Sequence, residues 1–439
     1  MNRWFVGALI TLALIVLVSP GIVGHLAEKR VEENLVFATS ESDEIVVTTE
    51  SFERGWFTSE GRHRIALRDG PFRALFEDEA GSQVPSLIID THVDHGLVPL
   101  TSVSRESGSL KPGLASTVST VRIDSGAGRI FEVPGKIYSQ VGLTGETASR
   151  FLMEAGSRKI DDAAFDWQGA DLMVRTKPSS GSVAYEGEIL PFSFLDQSGG
   201  FRLGSITIAG QQQQTPYSFR VGSARLELDS LVVDGGGDVQ TAFGRFTVEA
   251  SNELVGDRVN GAANVLVSGI PAPTLGEMNL AIDIVFSRFD ARSLQGVIGA
   301  LQDAQTSADP QEALANVYPL IERDVQKLLA SGLEIRFDQF DVTLPNGDLT
   351  TKLHLELPES DTDADFSWPA VILALNASAD VRIPVEVFEL AEMMSPDVGM
   401  LLAMGILKKV DDYYEMRAEY AKGLITVNGA PMPIPLQGL

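Results

Sequence analysis

The chain has no cysteine among its 439 residues and only 5 histidines. Without thiols there is no disulfide framework, thiolate zinc site, iron–sulfur cluster or cysteine nucleophile, which removes several enzyme classes together. Positive charge is scarce as well: 34 Lys and Arg face 60 Asp and Glu, a formal net charge of −26. Such a surface repels phosphate backbones, and no Lys/Arg cluster offsets it locally, so no nucleic acid is expected as a partner. Nucleotide and hydrolase fingerprints are missing too. There is no G-x-S-x-G, no Walker A sequence and no G-x-G-x-x-G, and Pro134-Gly135-Lys136 lacks the upstream glycine and the following Ser/Thr. No cofactor is implied. With 44% hydrophobic and 21% charged residues, the composition is that of a folded protein with a large core.

A long apolar run opens the chain. Residues 4–23 (WFVGALITLALIVLVSPGIV) carry no charge, and a helix of that length rises about 30 Å, the thickness of a bilayer's hydrocarbon. A cleaved secretory signal is the competing reading, but no Ala-x-Ala follows Ser19-Pro20-Gly21. The expectation is an uncleaved transmembrane anchor over 1–25, with the lipid bilayer as its partner. Leu26, Ala27, Arg30, Val31, Asn34 and Leu35 then recur at helical spacing and predict an amphipathic connector over 26–43.

Over 44–289 the pattern changes to alternation. Tyr217, Phe219 and Val221 form one such set; Ala224, Leu226 and Leu228 form another, with Arg225, Glu227 and Asp229 opposite. Phe246, Val248 and Ala250 repeat it, as do Ile206 with Ile208 and Val183 with Tyr185. Strands this regular, joined by short Gly/Asp/Ser/Asn turns, favour antiparallel hairpins over βαβ crossovers. The predicted fold is mainly β, of the α+β kind: a long curved antiparallel sheet with one apolar face, which a second layer or a ligand must cover.

Residues 290–439 are read as a mixed helix/strand region packing on that sheet. Leu294, Val297, Ile298 and Leu301 follow Asp290, a good N-cap. Asp309-Pro310 with Glu312 opens a second helix whose stripe is Leu314, Val317, Ile321, Val325 and Leu328, with a kink expected at Pro319. Both are candidate covering helices. Strands are predicted over 333–344, 351–357 and 371–383, and a last helical stretch over 385–410, interrupted at Ser395-Pro396. That stretch holds Met393, Met394, Met400 and Met404, thioethers that fill a core or mark an apolar lipid or peptide contact. The chain closes on a hairpin over 414–427, turning at Ala421-Lys422-Gly423 and ending in Asn428-Gly429.

The densest polar group is Asp90-Thr91-His92-Val93-Asp94-His95-Gly96. On a strand, Asp90, His92 and Asp94 share one side, where a carboxylate–imidazole–carboxylate row can hold a divalent metal or orient a base. The preferred assignment is structural, with Asp94 or His95 bonding a turn ended by Gly96, and no metal or catalytic residue is assigned. Asp361, Asp363 and Asp365 imitate a calcium loop, but Phe366 and Ile372 stand where a Gly and a bidentate Glu are required. They are read as a solvated acidic loop.

Three segments carry a family resemblance: Ser51-Phe52-Glu53-Arg54-Gly55-Trp56-Phe57-Thr58-Ser59; Val93-Asp94-His95-Gly96 with Pro99-Leu100; and residues 420–429 (YAKGLITVNG). With the single N-terminal span, they resemble the YdgA-like family of bacterial membrane-anchored proteins, a domain family of unknown function. The matching positions are Phe52, Arg54, Gly55, Phe57, Ser59, Asp94, His95, Gly96, Gly423, Asn428 and Gly429. The resemblance implies a single-pass inner-membrane anchor, a body in the periplasm and no established activity. In plan the chain is also similar to AsmA-like envelope proteins, an architectural analogy. An Arg54–Asp94 pair across neighbouring strands is the expected use of those two residues.

The functional expectation is a non-enzymatic, membrane-anchored envelope protein that uses an apolar concave sheet face to bind lipid or a partner protein. The alternatives are a self-assembling or partner-binding periplasmic scaffold, which includes a homo-oligomer, and a metal-dependent enzyme built on Asp90, His92, Asp94 and His95.

Overall fold

The computed structural model describes residues 45–67, 84, 86–95, 114–124, 130–160, 163–197, 199–217, 219–235, 240–272, 276–305, 307, 310–360, 366–394 and 397–432. The expected anchor (1–25) and connector (26–43) lie outside them, as do Gly96, Pro99, Leu100, Asp309, Ser395, Pro396 and the acidic loop 361–365. Among the described residues no helix is long and apolar enough to cross a membrane.

The chain begins with β1 (Ile45–Arg54), β2 (Thr58–Leu67), β3 (Ser86–His95), β4 (Ala115–Asp124), β5 (Ile130–Glu132), β6 (Lys136–Val141) and β7 (Thr147–Met153). Next come β8 (Gly156–Ile160), β9 (Ala163–Trp167), β10 (Ala170–Lys177), β11 (Ser182–Ile189), β12 (Phe192–Asp196) and β13 (Gly199–Leu203). They are followed by β14 (Ile206–Gln214), β15 (Arg220–Leu228), β16 (Leu231–Asp234), β17 (Gln240–Phe243), β18 (Phe246–Val255), β19 (Arg258–Ala272) and β20 (Gly276–Asp290). Helices α1 (Ala291–Gln305), α2 (Pro310–Ala315) and α3 (Tyr318–Ala330) precede β21 (Leu333–Leu344) and β22 (Gly347–Leu357). The rest is α4 (Trp368–Ala374), β23 (Asn376–Pro384), α5 (Val385–Met394), α6 (Asp397–Ala403), β24 (Lys408–Val410), β25 (Tyr413–Ala421), β26 (Leu424–Val427) and β27 (Ala430–Met432).

The described strands form a 21-stranded sheet and a 6-stranded one, with antiparallel pairing between successive neighbours. The mainly β expectation therefore stands. The smaller sheet is built from excursions of the larger: β7 leaves it, forms the β8–β9 hairpin and returns as β10. The pairs β12–β13 and β16–β17 do the same between β11 and β14 and between β15 and β18. Its Phe165, Phe194 and Phe201 meet on one side, with ring centroids 4.9 and 5.9 Å apart.

Several sequence expectations require correction. The boundary at 289/290 does not separate a sheet from a layer packed on it, because β21 to β27 extend the same sheet. Tyr217 and Phe219 precede β15 in a turn closed by Thr215, whose amide bonds the Phe219 carbonyl at 3.2 Å, and their rings stack. Residues 371–374 are helical, since Pro369 suits the first turn of α4. The last helical stretch ends at Ala403, and residues 408–410 form β24. At the second covering helix the chain breaks before Pro319, which enters the first turn of α3, where no amide is needed, instead of kinking one long helix. Asp290 does cap α1, accepting the Ser293 amide at 2.8 Å.

The covering helices cover little. Buried Ala304, Val317 and Ile321 join α1 to α2 and α3, while Leu314, expected in the stripe, is exposed. This cluster packs on itself and meets the sheet near the end of β20. Phe388 and Leu407 pack on Tyr414, so α5 and its neighbours shield only the β23–β25 end.

Candidate functional site

Cross-strand register shows what the sheet presents. Directly paired residues share a face, and one row runs from β1 to β25 through Phe52, Gly61, Thr91, Ser119, Ile137, Phe151, Leu172, Gly187 and Ile208. It continues through Leu226, Val248, Val265, Ile282, Phe340, Thr351, Val381 and Met416. At about 4.8 Å per strand this is roughly 75 Å of one face. From β6 onward nearly every position in the row is apolar. The flanking row repeats the pattern with Ile206, Leu228, Phe246, Val267 and Leu280.

This apolar face is partly closed at one end and accessible in its middle. Between β2 and β4 the stretch lined by the hydroxyls of Ser59, Thr91, Thr117 and Ser119, beside Val93 and His63, is buried, while Leu87 and Ile123 of the same face stay accessible. Thr91 and Ser119 hydroxyls bond each other at 2.8 Å, and His63 Nδ1 lies 3.1 Å from the Thr49 hydroxyl, which offsets the cost of burying them. Further along, large apolar side chains of the same face stay accessible: Val174 at 38%, Leu226 at 38% and Leu353 at 37%.

The opposite face is a lattice of ion pairs. Asp90 is held between Arg62 and Arg122, Arg64 reaches Glu50 at 2.5 Å and Asp124 at 3.0 Å, and Arg150 pairs with Asp171. Arg225 bridges Glu227 and Glu249, and Arg382 and Arg417 continue the series to β25. A depression of about 620 Å³ at mid-sheet is lined by small and charged side chains of this face, among them Ala184, Ser223, Arg225 and Glu249. It opens on the polar side, against the expectation of an apolar concavity.

Asp90, His92 and Asp94 do share a side of β3, but Asp90 is engaged by Arg62 and Arg122 while Asp94 has His92 beside it. Burial is the largest single influence on Asp90 and pushes its carboxyl up, but the Arg62 bond and the Arg122 charge together outweigh it and leave it below the usual range. His92 Nδ1 lies 2.6 Å from Glu60 Oε1, and Nε2 lies 3.5 Å from Asp94. The Glu60 bond, aided by the two carboxylate charges, raises the imidazole above its ordinary value despite partial burial. Among the described residues no three His, Asp or Glu side chains converge as a metal site.

The other singled-out residues also find places. Gly55 opens the β1–β2 turn, its amide donating to the Thr58 carbonyl at 2.7 Å, and Phe57 is exposed at the tip. Phe52 lies across Gly61, where an added Cβ would come within 3.1 Å of its ring. Arg54 does not pair with Asp94: β2 lies between β1 and β3, Arg54 stands opposite Ser59 on the apolar face, and Asp94 opposite Thr58 on the polar one. His95 stands opposite Ala115. Lys422-Gly423 and Asn428-Gly429 make the two terminal hairpin turns, with positive φ at all four residues. Met393, Met400 and Met404 are exposed, the first at 76%, so they do not fill the core; the Met394 side chain lies outside the described residues. Sequence reading missed the Arg62–Asp90–Arg122 clamp and the hydroxyl-lined end, since cross-strand partners are not visible along one strand. The run Ser116-Thr117-Val118-Ser119-Thr120, four hydroxyl residues in five, was the available sign of the latter.

The fold and its two faces define a class of protein: one very long antiparallel sheet, charged on one side and apolar on the other, whose apolar side the described helices cover only in part. The chain belongs to a bacterial protein family of unknown function, DUF945, whose family model matches residues 1–435. No curated protein and no solved structure matches it.

Proposed function

We propose that this is a membrane-tethered envelope protein that holds lipid acyl chains against the apolar face of its sheet and performs no chemistry on them. The observation that carries it is the mid-sheet stretch around Val174, Leu226 and Leu353, where a continuous apolar face remains accessible. A sheet face of this kind needs a second layer, and an exposed apolar patch of such extent marks a binding surface. Acyl chains fit a surface that is long, apolar and poor in hydrogen-bond donors, whereas a peptide strand needs free backbone groups at a sheet edge. The uncharged run over 4–23 supports the tether. The YdgA-like resemblance supports the finer assignment, a single-pass inner-membrane protein with its body in the periplasm. A partner-binding scaffold is the second reading, favoured by exposed Met393, Met400 and Met404.

The test compares the full chain with a Leu226→Glu/Leu353→Glu variant, both purified in one detergent, by counting lipid per chain with mass spectrometry. Lipid around the anchor is common to both. The proposal expects the variant to lose about half or more of the bound lipid while keeping its circular dichroism, because a buried carboxylate against hydrocarbon is strongly disfavoured. Equal lipid counts would reject it.

A further inference from the structure

The β1–β2 turn is built from residues that turns rarely use. Gly, Asn, Asp and Ser dominate such positions because they adopt or bond the bend, and the terminal hairpins follow that rule with Lys422-Gly423 and Asn428-Gly429. The first hairpin instead places Trp56 and Phe57 at its tip, 59% and 53% exposed. Thr58 pairs with Asp94, Asp94 with Ser116 and Ser116 with Gln140, so the β6–β7 turn lies at the same end of the sheet. That turn carries Leu143, 58% exposed. Residues 55–59 and 139–145 hold no charge, in a chain whose formal net charge is −26.

Area and reach identify the occupant. Three side chains offer a few hundred Å², short of the roughly 800 Å² per partner that a stable protein–protein contact needs. A bilayer accepts such tips singly, because Trp, Phe and Leu settle at its headgroup boundary and a tether makes each further contact intramolecular. The 21 residues between Val23 and Ile45 span at most about 70–75 Å when extended. The ten residues of β1 separate Ile45 from the tip by only about 33 Å, so the tip can turn back to the tether's own membrane. Glu53 stands opposite Glu60 behind it, which suits a zwitterionic surface better than an anionic one. We propose that Trp56, Phe57 and Leu143 are interfacial anchors that dock this end of the sheet on the surface of the bilayer carrying the tether. The inference rests on the tether proposed above and is independent of acyl chains on the sheet face.

The absence of cysteine makes the test clean, since a single introduced Cys is the only thiol to label. Nitroxides are placed one at a time by Phe57→Cys, Leu143→Cys, Leu14→Cys and Glu186→Cys in the full chain, reconstituted in phosphatidylcholine vesicles. Collisions with oxygen report lipid, and collisions with a nickel chelate report water. The proposal expects lipid at 57, 143 and 14, and water at 186 on the charged face. With Trp56→Ser added and circular dichroism unchanged, the lipid-exposed population of the label at 57 is expected to fall about tenfold. A watery label at 57 or 143 with 14 in lipid would overturn the inference and leave the tether standing. Shielding of 57 from both reagents, the mark of a protein contact, would overturn it too, as would indifference to Trp56→Ser. Water at 14 would remove the tether and the inference with it.

Discussion

Asn428 shows how much one side chain can carry in a sheet with little core. It adopts a positive φ of 52°, its carbonyl oxygen Oδ1 accepts the Arg417 amide at 3.0 Å, and its amide nitrogen Nδ2 donates to the Gly405 and Ile406 carbonyls at 3.1 and 2.9 Å. It therefore ties the last hairpin to the segment after α6. Asn428→Ala loses these bonds and keeps the left-handed strain, and a destabilisation of about 2–4 kcal/mol is expected from chemical denaturation. At His92 the prediction concerns pH. Its folded-state pKa is raised by Glu60 and Asp94, so its stabilising contribution is complete below the unfolded value of about 6.5 and fades as pH rises through the folded one. His92→Gln should flatten the urea midpoint in that window; an unchanged slope would exclude the Glu60 contact. Asp90 acts in the opposite sense, its contribution being lost only as pH falls through its lowered pKa.

Among elements, α3 illustrates the difference between a proline that breaks and one that begins. Pro319 lies in the first turn, so Pro319→Ala is expected to shift stability by less than about 0.5 kcal/mol in thermal melts. A loss of several times that would mean the ring itself is needed for packing. The same contrast explains what was legible beforehand. Alternation in β11, β14, β15 and β18 was readable because apolar and charged residues there segregate by face, as at Leu226 and Glu227. The terminal turns were readable from Lys422-Gly423 and Asn428-Gly429. Three things were not. Pro319 and Pro369 have two meanings that only the position of the preceding turn resolves. Arg54 and Asp94 looked like neighbours because sequence does not show that β2 intervenes or that their faces differ. The helices after β20 looked like a covering layer because an amphipathic stripe says that a helix packs, and not on what; theirs is spent mainly on one another.

At the scale of the whole molecule, the described residues present an imbalance between apolar sheet and the cover they supply. Buried clusters form at Val93 with Ala115 and Val141, within the helical insert, and at Phe388 with Tyr414. Between these places the apolar row passes from strand to strand with its large side chains partly accessible, while the other face neutralises its charges by cross-strand pairing. Association of acyl chains with that open stretch would remove apolar area from water without any change in the sheet. The most direct measurement places a photo-activatable aromatic amino acid at Leu226, on the apolar face, and separately at Glu227, its neighbour on the charged face, in the full chain in its own membranes. Lipid adducts at 226 and not at 227 are the predicted result. Equal labelling at both positions, or protein adducts alone at 226, would contradict it.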